Sequence, residues 1–245
     1  MEIGAQLYTV RDFCKTKPEL LESLKKIADI GYKNVQVSGV CDYEPKWLAD
    51  ALKETGLKCV LTHIPPERIA SDTLAVVMEH DVFRCRNVGI GYYEVHKDGV
   101  EAFYEKFAYA ADTLRRGRKQ LCYHNHDHEF MKLDGETVLK RLADRFTPEQ
   151  LCFTLDTYWV QAGGADPVWW TDFLSERVPC VHLKDMEYGR KMAPLGKGNI
   201  NLDGVIAACE RAGTEYLLVE QDDCYGQNPF DCLKISYDFL KSRGF

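Results

Sequence analysis

Residues 121–130 read LCYHNHDHEF, which sets three of the chain's seven histidines beside an asparagine, an aspartate and a glutamate, directly behind a short apolar run. Other apolar runs end in groups of the same chemical types. LCFTLDTYW (151–159) carries Asp156 and Trp159, VPCVHLKD (178–185) carries His182, Lys184 and Asp185, EYLLVEQD (215–222) carries Glu220 and Gln221, and KCVLTHI (58–64) carries His63. Carboxylates and imidazoles without a thiolate make a borderline-hard donor set that suits Mn2+, Co2+, Zn2+ or Fe2+ better than Ca2+. One such cation with open positions can hold two oxygens of a sugar and polarise a carbonyl. The same side chains also exchange protons near neutral pH. Taken singly, His63, His126 and His128 read as hydrogen-bonded residues at strand ends, and His80 and His96 have no ligand-type neighbour. The ten cysteines include no CxxC pair, which argues against a zinc knuckle or a dithiol redox centre. Several lie inside apolar runs, where a reduced thiol is a small buried hydrophobe.

Groups so far apart in sequence act together only if a fold gathers them. Short apolar or β-branched runs recur at 3–10, 34–39, 58–64, 87–93, 120–126, 151–159, 178–185 and 215–222. Between most of them the apolar residues take helical spacing, as in KPELLESLKKIADIGY, PKWLADALKETGL, VEAFYEKFAYAADTLRRG, GETVLKRLADRF, DPVWWTDFLSERV and LDGVIAACERAGT, with PFDCLKISYDFLKSR closing the chain. Gly31, Gly56, Gly117 and Gly213 stand where helices should stop, and Asp166 followed by Pro167 reads as a cap and first helical residue. Strands alternating with such helices imply right-handed βαβ units and a parallel sheet. Eight units close most simply into a (β/α)8 TIM barrel. The rival, an open doubly wound sheet, normally carries a glycine-rich phosphate loop after its first strand, and YTVRDFCKTKPE has none.

In a parallel barrel the C-terminal ends of all strands open at one mouth. Period-two alternation places Thr154 with Asp156, Cys180 with His182, and Leu218 with Glu220. If these faces point inward, two carboxylates and an imidazole meet near the axis, and His124, in line with Cys122, can complete the set. Two acids buried together call for a cation. With 45% apolar and 28% charged residues, the 245-residue chain reads as one globular domain over 1–245. A net charge of −7 disfavours a nucleic-acid or anionic-membrane partner and favours a small molecule. No run approaches the ~18 apolar residues of a membrane span, and the N-terminus has no secretory pattern, so a soluble cytoplasmic protein is expected.

The phrases YHNHDHEF, LDTYW with AGGADP, VHLKD, PLGKGNINLDG and VEQDD, in this order along nearly the whole chain, resemble the xylose-isomerase-like TIM-barrel superfamily. The sugar phosphate isomerase/epimerase and inosose dehydratase branches are the nearest in pattern. The resemblance implies one divalent metal, Mn2+ first with Co2+, Zn2+ or Fe2+ as alternatives, held by His124, Asp156, His182 and Glu220. Many epimerases of this superfamily carry a glutamate on strand five, where this chain reads YHNH as in the dehydratase-like branch; Glu129 stays open as an alternative ligand or base. The implied activity is that of a sugar isomerase or epimerase, removing the proton next to the carbonyl of a keto-sugar or related polyol. Glu220 is the first candidate base, with Lys184 or His126 as partner acid. His63, Asn125, Glu129, Trp159 and Gln221 are the candidate substrate contacts. No phosphate loop stands out, so an unphosphorylated keto-sugar, glycoside or inositol derivative is expected. The same site also serves a lyase, either inosose dehydratase-like or a keto-glycoside eliminase. An apurinic endonuclease-like DNA repair enzyme and a non-catalytic sugar binder are the readings from other classes. Barrels of this kind often pair, which leaves a homodimer open.

Overall fold

Eight parallel strands form where the apolar runs fall: β1 (Glu2–Gln6), β2 (Asn34–Val37), β3 (Lys58–His63), β4 (Asn87–Ile90), β5 (Gln120–His124), β6 (Cys152–Asp156), β7 (Cys180–Leu183) and β8 (Tyr216–Val219). The computed structural model describes residues 1–245. Each strand pairs with its sequence neighbours, and β8 closes on β1 through Glu2 opposite Tyr216, so the sheet is a closed (β/α)8 TIM barrel. The outer layer comprises α1 (Lys17–Ile30), α2 (Pro45–Thr55), α3 (Thr73–Val82), α4 (Val100–Arg116), α5 (Val138–Arg145), α6 (Pro167–Phe173), α7 (Leu202–Ala212) and α8 (Pro229–Lys241). No helix is long and apolar enough to cross a membrane.

Local chemistry sets the helix ends. Thr16 accepts from the Glu19 amide at 3.4 Å and Asp166 from the Val168 amide at 2.9 Å, with a proline in the first turn of each helix that follows. The buried residues Leu20, Leu24 and Ile27 of α1 follow helical spacing and turn one stripe inward. The sequence pattern gives no helix between β3 and β4, yet the chain there forms a short helix, Pro66–Ser71, and then α3. Leu74 and Met78 are two-thirds exposed while Val76 is buried, so the apolar residues of α3 surround it instead of marking one stripe. The run LCFTLDTYW is also split: strand ends at Asp156 and a short helix, Thr157–Ala162, begins.

Register positions the site. Asp156 lies opposite His182, His124 opposite Thr154, and His182 opposite Leu218. Two residues below His124, His182 and Glu220, the side chains of Cys122, Cys180 and Leu218 pack with Cys152, Val60 and Leu61 as a cluster of their own. The larger core, including Leu24, Phe103, Leu142 and Val205, fills the space between strands and helices. All ten cysteines are unpaired.

Candidate metal centre

His124, Asp156, His182 and Glu220 are each at least 95% buried, and one donor atom from each lies within 4.8 Å of the others. Their orientation is fixed from behind. His124 Nδ1 donates to the Gly91 carbonyl at 3.0 Å, which turns Nε2 toward Asp156 Oδ2 at 3.1 Å. His182 Nε2 donates to Gln36 Oε1 at 2.6 Å, which turns Nδ1 toward Glu220 Oε2 at 2.9 Å. Nδ1 of His182 and Oε2 of Glu220 are close but out of hydrogen-bond alignment, and neither buried atom makes an aligned hydrogen bond. In neutral imidazoles held this way, two nitrogen lone pairs face two carboxylate oxygens. A divalent cation would make such a face favourable once it displaces the proton that the carboxylates favour on His182, and the backing carbonyl and carboxamide are the usual outer partners of metal-binding histidines. The residues therefore fit a borderline-hard divalent ion.

Asp156 keeps its other oxygen for the backbone: Oδ1 accepts from the Trp159 amide at 3.0 Å and caps the helix that follows. Lys184, 1% exposed, lies 2.9 Å from Asp156 Oδ2, 2.8 Å from Glu220 Oε2 and 2.9 Å from Asp222 Oδ1. Burial opposes charge on all four groups, but Lys184 holds the Asp156 and Glu220 carboxyls below the usual range, and they in turn raise the lysine. Burial also disfavours charge on His182, yet Glu220 and Asp156 outweigh it and push the imidazole up to about 9. Asp222 moves the other way. Burial, then the negative Glu220, raise it to about 7.

Above the cluster opens a cavity of about 560 Å³ whose lining includes His63, Tyr92, His126, Trp159, Lys184 and Asp222. His63 packs 5.4 Å from His124 and 5.6 Å from His182 between ring centroids, and its Nδ1 meets Ser38 Oγ at 3.2 Å. It fits because Gly91 has no side chain: a Cβ there would stand 2.6 Å from His63 Nδ1. Burial keeps His63 neutral, and pushes His126 down to about 2. The His126 ring lies 4.7 Å from His124 and 5.2 Å from Trp159, with Nδ1 unpartnered.

Three of the residues expected at the substrate lie elsewhere. Asn125 follows His124 and so points off the inner face; its Oδ1 accepts from the Asp156 amide at 3.0 Å, tying β5 to β6. Gln221 alternates in the same way with Glu220, and its Nε2 donates to the Asp223 carbonyl at 3.0 Å. Glu129 sits in a single helical turn, His128–Phe130, fully buried, where it accepts from the Tyr123 hydroxyl and from the His126 amide and meets His128 Nε2. It does not reach the cluster, and the strand-five donor gathered there is His124. Two working groups were not singled out by sequence reasoning. Gln36 orients His182 from across the barrel, and Asp222 completes the carboxylate cage of Lys184. The doubled acid of VEQDD was the available signal for Asp222.

Against known proteins, the model of the xylose isomerase-like TIM barrel matches residues 24–243. No curated protein matches the chain. Among solved structures, a sugar phosphate isomerase/epimerase from Parabacteroides distasonis superposes with a TM-score of 0.84 at 18% identity, over 99% of this chain and 94% of that one. An L-ribulose 3-epimerase gives 0.74 at 15% identity, over 99% and 94%. A family 2 AP endonuclease from Brucella melitensis gives 0.71 at 18% identity, over 95% and 96%. At such identities the likeness concerns the fold, and the three differ in the activities their names state. Together with the family match over most of its length, the barrel and its strand-end cluster place the chain: it belongs to the xylose isomerase-like TIM barrel family.

Proposed function

We propose that the chain is a divalent-metal-dependent sugar isomerase or epimerase that moves a proton beside the carbonyl of a keto-sugar or related polyol. One observation carries this reading: His124, Asp156, His182 and Glu220 converge at the floor of a polar cavity, with a buried lysine touching both carboxylates. These four side chains would hold the metal, for which Mn2+ is our first choice over Co2+, Zn2+ or Fe2+, and it would supply Lewis acidity toward a carbonyl and adjacent hydroxyl.

The chain's own groups supply the proton traffic. Glu220 stays ionised under the influence of Lys184 and His182, so it is in the proton-accepting form at any ordinary pH. The Lys184 ammonium, 2.8 Å from Glu220 Oε2, is the partner acid and holds charge that develops on substrate oxygen. His126 is neutral, with a nitrogen free, and is the second acid–base candidate at the cavity wall. Trp159 offers its face to the sugar. A proton returned to the opposite face gives an epimer, and one returned to the neighbouring carbon gives an aldose. Departure of a β-substituent from the same site makes the enzyme a lyase, the second reading.

The test is proton exchange. Wild type and Glu220→Gln are each loaded with saturating Mn2+, supplied with a panel of keto-sugars in D2O and followed by NMR. Exchange at the carbon beside the carbonyl should fall by about 10² to 10⁴ in the variant, the contribution of a positioned base. Wild-type exchange rates in Glu220→Gln with the metal still bound would transfer the role to another group, and a wild-type product lacking a hydroxyl or aglycone would select the lyase.

A further inference from the structure

The cavity carries a positive charge that the acid–base chemistry does not use. Its charged lining groups are Arg11, Lys184, Glu220 and Asp222. The charge of Lys184 is offset by the three carboxylates beside it. That of Arg11 is not: its contacts are with Tyr8, where Nη1 donates to the carbonyl at 2.9 Å and the guanidinium lies 4.3 Å from the ring centroid. The nearest acid in sequence, Asp12, pairs with Lys15 at 3.3 Å. A guanidinium has five N–H donors, so most of the hydrogen-bonding capacity of Arg11, a residue of the cavity lining, remains unspent.

Its place is also built. Gly39, with φ of +67°, lies against this pair, and a Cβ there would come 2.6 Å from Tyr8 Cδ2 and 3.5 Å from Arg11 Cβ. The Tyr8 ring under the guanidinium and the Tyr8 carbonyl at its end hold the fork in one orientation at the lip. A half-buried, oriented and uncompensated arginine is suited to bidentate capture of an oxyanion. Against the chain's net charge of −7, such a local cation favours the entry of an anion.

We propose that the substrate of this site is an acidic sugar, whose carboxylate or phosphate is bound by Arg11 at the rim while its carbonyl end reaches the floor. The inference rests on the proposed isomerase or epimerase reading and narrows its substrate class. It also reopens the expectation of an unphosphorylated substrate: no phosphate loop is present, but a side-chain anchor is.

Three sugars that differ only at C6 test it: D-fructose, D-fructuronate and D-fructose 6-phosphate, titrated calorimetrically into the Mn2+-loaded protein. At least one acidic sugar should bind roughly 10- to 100-fold tighter than fructose, the range for a charge-assisted hydrogen-bonded pair. The tighter of the two identifies the oxyanion. Arg11→Gln should bring that affinity down to the fructose level, and Arg11→Lys should keep part of the preference, since a point charge survives without the fork. Equal binding of the three sugars, no binding of any, or a preference that persists in Arg11→Gln would overturn the proposal. Metal content measured on the same samples separates the two readings: full Mn2+ occupancy without anion preference removes this inference alone, whereas failure to retain metal removes the function on which it rests.

Discussion

His182 shows how one side chain can serve the fold and the chemistry. With its pKa pushed up to about 9 from an ordinary 6.5, it binds a proton more tightly folded than unfolded. That contribution to stability is fully present below about 6.5 and is lost as pH rises through about 9. A metal must displace the same proton, so its apparent affinity should rise about tenfold per pH unit between 7 and 9 and then level off. Calorimetric titration of Mn2+ across that range reads the slope. His182→Ala and Asp156→Ala should each weaken Mn2+ more than ~100-fold and leave the circular dichroism unchanged, because their side chains sit at the mouth above the stabilising layers. Full metal occupancy in both variants would remove the metal site. The four cluster residues were legible because each ends an apolar strand and alternation gives them one face. The roles of Gln36 and Arg11 were not: Gln36 reads only as one of several polar residues at a strand end, since its partner His182 comes from across the barrel, and Arg11 lies in the irregular turn after β1, where no period applies.

Among elements, the join between α5, β6 and the approach to β7 depends on one residue. Arg177, half-buried, donates to the carbonyls of Ala143 at 2.7 Å, Phe146 at 3.2 Å and Leu151 at 2.9 Å, so three chain ends share one guanidinium. Arg177→Leu leaves those carbonyls without a donor and should cost about 2–3 kcal/mol in urea unfolding, with metal binding unchanged. A loss below about 0.5 kcal/mol would mean that water replaces the arginine. The eight strands were readable as apolar or β-branched runs and seven of the eight outer helices as stripes, α8 among them as the closing segment. The sixth and third helices show the range. α6 was announced by its Asp166 cap as much as by its stripe, while α3, apolar all round with Leu74 and Met78 outward, carries no period to detect.

For the molecule as a whole, metal binding at the mouth is coupled to the stability of the barrel that forms it. At a free Mn2+ concentration a hundred times its Kd, linkage adds about 2.7 kcal/mol. For a chain of this size that corresponds to a rise of roughly 5–10 °C in Tm, readable by differential scanning fluorimetry against a chelator-treated sample. An unchanged Tm would count against the site. Beneath that mouth lies the layer of Cys122, Cys152 and Cys180, where burial raises every thiol, Cys152 to about 11. Thiolate is the reactive form, and here it is both scarce and enclosed by closed strand pairing. An alkylating reagent can therefore reach these sulfurs only when neighbouring strands part. Their modification rate is thus a clock for barrel opening, and because Cys122 and Cys180 lie two residues below His124 and His182, that clock should slow when the mouth above is filled.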